Sequence, residues 1–121
     1  MGTRAVYTFI DEDDRHSVYK HWDGYPSWAC QFIANALPLA WPLPRFEADE
    51  FAAAFVAANK IQPGDIRLTT GPDAHGDLAY AYQIRCSDGR LHIRIYRGAS
   101  DDRPIFEGSL EDAQQFSATF N

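Results

Sequence analysis

Residues 80–97 read YAYQIRCSDGRLHIRIYR, and this stretch predicts a β-hairpin together with its register. Asp88-Gly89 favours a two-residue type I′ turn, because both central positions of that turn need a positive φ. Such a turn pairs Ser87 with Arg90 and fixes every pair outward from there. One face of the hairpin is then apolar or aromatic, and it comprises Tyr80, Tyr82, Ile84, Leu91, Ile93 and Ile95. This alternation is typical of an antiparallel sheet with one face in solvent.

The opposite face of the hairpin is rich in cations and hydrogen-bonding groups. Arg67, on a short strand predicted at 66–69, joins this face if the two strands of the hairpin are its neighbours. We call the set the basic face, and it comprises Arg67, Gln83, Arg85, His92, Arg94 and Tyr96. Clustered cations repel one another, so a carboxylate from elsewhere or an anionic ligand would relieve them. The alternative is a solvated sheet face whose arginines pair with Asp and Glu.

The rest of the chain predicts further strands and helices. Alternation with a period of two predicts strands at 4–10 and 17–22, joined by an acidic loop, and a short strand at Ile105-Phe106. Helical spacing predicts a helix from the N-cap Ser27 to Pro38, a helix at 46–60 and a final helix with Ser109 as its capping residue. The segment 38–44 between the first two helices is predicted to be an ordered proline-rich connector. The prediction is a single α+β domain over 1–121. Its antiparallel sheet has about five strands in the order ββααβββα, with helices packed on one face.

The run His21-Trp22-Asp23-Gly24-Tyr25-Pro26 marks a corner where the second strand ends. A histidine and a carboxylate two residues apart on an extended strand point to the same side, which permits acid–base chemistry by His21 and Asp23 with Tyr25 nearby. The structural interpretation is that Asp23-Gly24 turns the chain, Trp22 and Tyr25 pack over the sheet edge, and Pro26 starts the helix. The sequence contains no nucleophile elbow, reactive-cysteine signature or phosphate loop that would complete an active site.

This corner and the start Met1-Gly2-Thr3-Arg4 together resemble an uncharacterised family of small bacterial and prophage proteins. Members of that family begin Met-(Ser/Gly)-Thr-Arg and carry His-(Trp/Tyr)-Asp-Gly-Tyr-Pro near position twenty. The resemblance covers about the first quarter of the chain and departs from the family pattern at Trp28, where a small residue is expected. It implies a protein of phage or prophage type and no particular activity.

Charge narrows the classes of partner. The net charge of −6 opposes general binding to the phosphate backbone of duplex nucleic acid. Residues 78–97 nevertheless hold four of the eleven basic residues and one acidic residue. The acidic block 11–14 lacks the spacing of a calcium loop, so no metal site is predicted. It could instead present a negative surface to a basic partner, together with a second acidic pair; this acidic surface comprises Asp11, Glu12, Asp13, Asp14, Asp101 and Asp102.

Composition bounds the remaining possibilities. The 121 residues suit one domain, and 45% of them are hydrophobic. Cys30 and Cys86 are too few for a disulfide framework and read as buried hydrophobes. The sequence has no apolar run of membrane-spanning length and no leader pattern, so we expect a cytoplasmic protein that does not bind membranes. Residues 39–43, Leu-Ala-Trp-Pro-Leu, would offer a patch for a homodimer if helices leave them exposed.

Two functions remain open. The first is a non-catalytic binding protein that occludes a host or bacterial protein complex, as small inhibitors of bacterial defence complexes (anti-CRISPR-like or related) do. The second is a small anion- or nucleotide-binding module, or a small enzyme, that uses Arg85, His92 and Arg94. No cofactor is predicted for either function.

Overall fold

The computed structural model describes residues 2–98 and 103–119. Within them, the strands are β1 (Ala5–Ile10), β2 (Arg15–Lys20), β3 (Ile66–Thr69), β4 (Tyr80–Ser87), β5 (Arg90–Arg97) and β6 (Phe106–Ser109). The helices are α1 (Pro26–Ala36), α2 (Ala48–Asn59) and α3 (Leu110–Thr119), and a 3₁₀ turn spans Leu37–Leu39. These strands form one sheet in the order β3-β2-β1-β4-β5-β6. The predicted α+β fold, with helices packed on one sheet, is confirmed.

The helices cover one face of the sheet, which we call the helix-covered face. α2 packs on β1 and β2, α3 packs on β5 and β6, and α1 lies against both of these helices. Tyr7 of β1 is at the centre of the core, where its ring lies 4.6 Å from that of Phe55 and 4.9 Å from that of Tyr82. The apolar hairpin residues predicted for this face are all buried. Hydrophobic burial therefore selects the face that the alternation pattern indicates.

The six strands are close to the predicted number of about five, but the sheet is mixed where an antiparallel one was expected. β1 and β4 pair in parallel, from Ala5 opposite Tyr80 to Phe9 opposite Ile84, while the other four pairs are antiparallel. The physical reason is the long connection between β3 and β4. It returns the chain past two strands, so that β4 enters on the far side of β1 in the same direction as β1.

This connection, residues 70–79, crosses the face of the sheet that carries no helix, which we call the open face. The His75 ring stacks on Tyr19 with 4.0 Å between centroids, and Arg4 forms an ion pair with Asp77 at 3.8 Å. As a result Val6 and Thr8 are only 1% and 2% exposed although no helix lies over them. The open face is thus covered at β1 and β2 and accessible at β4, β5 and β6.

The hairpin between β4 and β5 confirms the predicted turn and register. Asp88 and Gly89 have φ values of 54° and 75°, as a type I′ turn requires. Ser87 pairs with Arg90, and the pairs continue in step to Tyr80 with Arg97. The local turn preference and the burial pattern specify the same register, which leaves no frame for a slipped pairing.

The turn also supports a stability prediction. Gly89→Val should lower the free energy of unfolding by about 1–3 kcal/mol, because a β-branched residue holds a positive φ poorly. Gly89→Asn is the matched control, since Asn tolerates this conformation and should cost much less. Urea unfolding of the two variants checks this, and an unchanged midpoint for Gly89→Val would refute the turn assignment.

The helix ends differ in detail from those expected. The N-cap of α1 is Tyr25, two residues before the predicted Ser27, so the prediction of Ser27 as N-cap is wrong; Pro26 lies in the first turn and Tyr25 makes no side-chain capping bond. Proline is preorganised for this position because its missing N–H would have no partner there. Ser109 does cap α3, since its hydroxyl accepts the Asp112 amide at 3.1 Å. None of the described helices has the length and hydropathy needed to cross a membrane.

Candidate functional site

The corner at residues 21–26 joins His21 to an aromatic group rather than to a carboxylate. His21 Nδ1 lies 2.8 Å from the Tyr19 hydroxyl, and the indole of Trp22 meets the imidazole edge-on at 4.8 Å. Asp23 is exposed and adopts a φ of 60°, which turns the backbone. The geometry therefore favours the structural interpretation of this corner over acid–base catalysis by His21 and Asp23.

Gly24 connects the corner to the sheet and to the N-terminal segment through hydrogen bonds of its backbone. Its amide donates to the Thr3 carbonyl at 2.8 Å, and its carbonyl accepts the buried Tyr82 hydroxyl. A Cβ at this position would lie 2.7 Å from the Thr3 oxygen and 2.8 Å from the Ala5 Cβ. Only glycine allows so close a backbone approach. The N-terminal segment and the motif thus form one packed unit, with Tyr25 left half exposed.

A buried ion pair lies beneath the corner. Lys20 Nζ donates to Asp65 at 2.7 Å, and the two side chains are 4% and 3% exposed. The ammonium also sits 4.4 Å from the centroid of the Phe32 ring. Sequence reasoning missed Asp65, since the two residues are 45 positions apart and nothing in either local pattern indicates burial. The pair ties β2 to the segment that enters β3.

The basic face does not form as one cluster. Arg67 lies on β3, and β2 and β1 separate that strand from β4, so the expectation that Arg67 joins the hairpin residues is wrong. Its guanidinium instead lies 5.1 Å from the Tyr19 ring and donates to the Gly64 carbonyl. Because strand order depends on the long crossover, residue spacing could not reveal this separation.

On β5, the cations are matched by a carboxylate of β6. Glu107 accepts His92 Nε2 at 2.9 Å and Arg94 Nε at 3.0 Å through the same oxygen. The hydrogen bond from His92, and then that from Arg94, lower the pKa of Glu107. The hydrogen bond that Arg94 donates to Glu107 in turn raises the pKa of Arg94. This arrangement is the one expected of a sheet face whose cations pair internally, and Tyr96 lies beside it, half buried.

Arg85 faces His92 across the ladder but makes no ion pair with a carboxylate of the described residues. Its guanidinium reaches only the Gln83 side chain, at 3.4 Å, and its Nε is buried without a hydrogen-bond partner among the described residues. Arg85 lines a cleft between the β1–β2 loop, the start of α2 and the end of β4. We call this the acidic cleft, and its charged residues are Asp11, Glu12, Asp13, Asp14, Glu47, Asp49 and Arg85.

Asp11 has a structural role in the acidic cleft. One of its oxygens accepts the amides of Asp13 and Asp14, and the other accepts the Ala48 amide at 2.7 Å, which caps α2. The bond from Ala48, followed by those from Asp14 and Asp13, lowers the pKa of Asp11. Since the folded-state pKa is depressed, the stabilisation is present above the unfolded pKa and is lost as pH falls through the folded value.

The other carboxylates of this loop are available to a partner. Glu12, Asp13 and Asp14 are exposed, and their side chains make no ion pair within the described ranges 2–98 and 103–119. Asp101 and Asp102, predicted to extend the acidic surface, lie outside the described residues. Glu47, which pairs with Arg45 at 3.3 Å, and Asp49 extend it on the α2 side, a contact between distant segments that the local sequence pattern does not reveal.

The described part of the chain holds one buried free thiol, that of Cys30, and one half-buried free thiol, that of Cys86. Burial raises the pKa of the Cys30 thiol to about 11, which disfavours the reactive thiolate. Cys86 is a free thiol beside Pro44. No group of three or more His, Cys, Asp or Glu side chains among the described residues is arranged to hold a metal ion.

Comparisons of the chain with known protein families, with characterised proteins and with solved structures found no match.

Proposed function

We propose that this chain is a non-catalytic binding protein of phage or prophage type that acts on a host or bacterial protein. Its action would be to occlude a component of a defence complex, in the manner of anti-CRISPR-type inhibitors. The observation that carries the proposal is the acidic cleft, whose lining includes six carboxylates and one guanidinium. The resemblance of the corner and the N-terminus to small prophage proteins supports the biological setting.

The charges of the acidic cleft favour a basic protein segment as the partner. Among the described residues Glu47 pairs with Arg45 at 3.3 Å, but Glu12, Asp13 and Asp14 make no ion pair, so a partner's Lys or Arg side chains would supply the cations that these three lack. A net charge of −6 adds a long-range attraction for such a partner. The same charge repels nucleic acid, and a protein that normally binds nucleic acid carries the matching basic surface.

The alternative is an anionic ligand on the accessible half of the open face, held by Arg85, His92 and Arg94. Glu107 argues against it, because its carboxylate already occupies both His92 and Arg94. An anion would have to displace this carboxylate and then remain close to it. The cost of bringing two like charges together favours the protein partner.

Charge reversal distinguishes the two functions. Glu12→Lys with Asp13→Lys should abolish capture of the partner from a lysate of the native host. Both carboxylates are exposed and neither supports the fold through its side chain, so the variant should still fold. Asp73→Lys with Glu111→Lys is the matched control: it changes the net charge equally, at exposed positions outside the acidic cleft, and should retain capture. The captured protein is identified by mass spectrometry.

Arg94→Ala completes the experiment. If binding survives the reversal at Glu12 and Asp13 but is lost in Arg94→Ala, the partner is an anionic ligand and the acidic-cleft proposal is wrong. Turnover of a substrate that disappears in His21→Ala would refute a non-catalytic function altogether.

A further inference from the structure

β3 is an edge strand, and no other described strand pairs with its outer side. The His21 amide donates to the Asp65 carbonyl at 2.8 Å, and these two residues continue the register in which Tyr19 faces Arg67. Hydrogen-bonded and non-hydrogen-bonded pairs alternate in an antiparallel ladder, so Arg67 and Thr69 bond to β2. The N–H and C=O groups of Ile66 and Leu68 therefore point away from the sheet.

Leu68 is the exposed apolar residue of this edge. Its side chain is 84% exposed, although it belongs to the helix-covered face of the sheet, where its partner across the ladder is the buried Val18. It borders a groove of about 460 Å³ between β3 and α2, whose apolar wall includes Ala52 and Val56. A large apolar side chain beside an apolar groove is a feature of interaction surfaces.

This edge is protected against strand pairing chiefly by its shortness, since β3 has four residues. Natural edge strands are guarded by charges, proline or bulges. On β3 the one charged residue is Arg67, and its guanidinium is turned inward over Tyr19 and onto the Gly64 carbonyl. The opposite edge, β6, carries Glu107 and leads directly into α3.

We propose that β3 is a self-association strand, at which a second copy of this chain pairs antiparallel about a two-fold axis at Leu68. A two-fold axis at Arg67 would place that residue opposite its own copy, which like charges disfavour. The axis at Leu68 instead places Arg67 opposite Thr69 and brings the two Leu68 side chains together. Arg15 and Asp49 both line the groove, so opposite charges balance where the second copy would lie.

The size of the interface sets the expected strength. Two four-residue strands with one leucine each bury less than the roughly 1,200 Å² typical of a stable complex, so the dimer should be weak and concentration-dependent. Sedimentation velocity at about 10 µM and about 500 µM should therefore show a shift from monomer towards dimer. A monomer at both concentrations overturns the proposal.

Two substitutions at Leu68 test the geometry. Leu68→Lys places a charge at the edge, and Leu68→Pro removes the outward N–H while leaving the bonds to β2 intact. Each should keep the chain monomeric at about 500 µM, where wild type dimerises. If Leu68→Pro fails to fold, Leu68→Lys alone still decides, since so exposed a side chain contributes little to the monomer.

Leu39→Lys is the matched control, because Leu39 is also exposed, at 57%, and belongs to the 39–43 segment that composition suggests as a dimer patch. It should dimerise like wild type. A dimer lost in Leu39→Lys and retained in Leu68→Lys would overturn the β3 interface.

Discussion

Asp65→Asn should lower the free energy of unfolding by about 3–5 kcal/mol, because it leaves the Lys20 ammonium buried without its counter-charge. The Lys20 side chain is 4% exposed, so water cannot replace the lost carboxylate without opening the corner. For a chain of this size the melting temperature should fall by roughly 10–20 °C. Differential scanning calorimetry and urea unfolding measure both quantities.

The double variant Lys20→Met with Asp65→Asn is the control that tests this explanation. Removing both charges avoids the uncompensated ion, so the double variant should recover most of the lost stability. Met also keeps an apolar stem against Phe32, where the ammonium now lies. If the double variant is as unstable as Asp65→Asn, the loss comes from something other than the unpaired ammonium.

Gly24→Ala should cost roughly 2–4 kcal/mol, since the added methyl meets a backbone carbonyl and another Cβ, and relieving the overlap stretches the Gly24–Thr3 hydrogen bond. Carbonyl groups of the backbone cannot rotate away as a flexible side chain can. The N-terminal segment or the corner must therefore move. Thermal unfolding gives the magnitude.

Gly76→Ala provides the comparison for Gly24→Ala. A Cβ at Gly76 would have no neighbour within 4 Å, and this glycine is not among those with positive φ, so its substitution should be close to neutral. Equal losses of stability in Gly24→Ala and Gly76→Ala would show that the corner tolerates a side chain at Gly24. The close backbone approach at Gly24 would then not be what stabilises the corner.

Local signals in the sequence were enough to predict the hairpin. Asp88-Gly89 sets a turn whose geometry depends on two residues, and the alternation around it identifies which side chains are buried. Both features act within a few residues of one another. The predictions of the register and of the inward-facing side chains of β4 and β5 are accordingly confirmed.

Sheet order could not be predicted in the same way. Alternation with a period of two is common to parallel and antiparallel strands, so it does not reveal that β1 and β4 run in parallel. The order of strands depends on where the connection at 70–79 crosses, which is a long-range choice. For this reason the prediction that Arg67 lies beside the hairpin residues is wrong.

Only part of the acidic cleft and of the hairpin's charged face could be predicted from the sequence. As with the sheet order, the remainder depends on contacts between residues that are far apart in the chain. The loop 11–14 was recognised as acidic from its composition, but its role in capping α2 through Asp11 and Ala48 depends on a contact across 37 positions. Glu107 was not recognised as the partner of His92 and Arg94, because β6 was expected to end at Phe106. Extending that strand by three residues brings the carboxylate opposite Arg94.

The rate of association with the captured protein partner, measured against salt concentration, tests the acidic-cleft proposal most directly. For attraction between the acidic cleft and a basic partner, the wild-type on-rate should fall steeply between about 50 and 500 mM salt. Glu12→Lys with Asp13→Lys should bind more slowly at low salt and with a much flatter dependence, while Asp73→Lys with Glu111→Lys stays nearer to wild type. An on-rate that is independent of salt, or equally affected by both pairs of substitutions, would contradict the proposal.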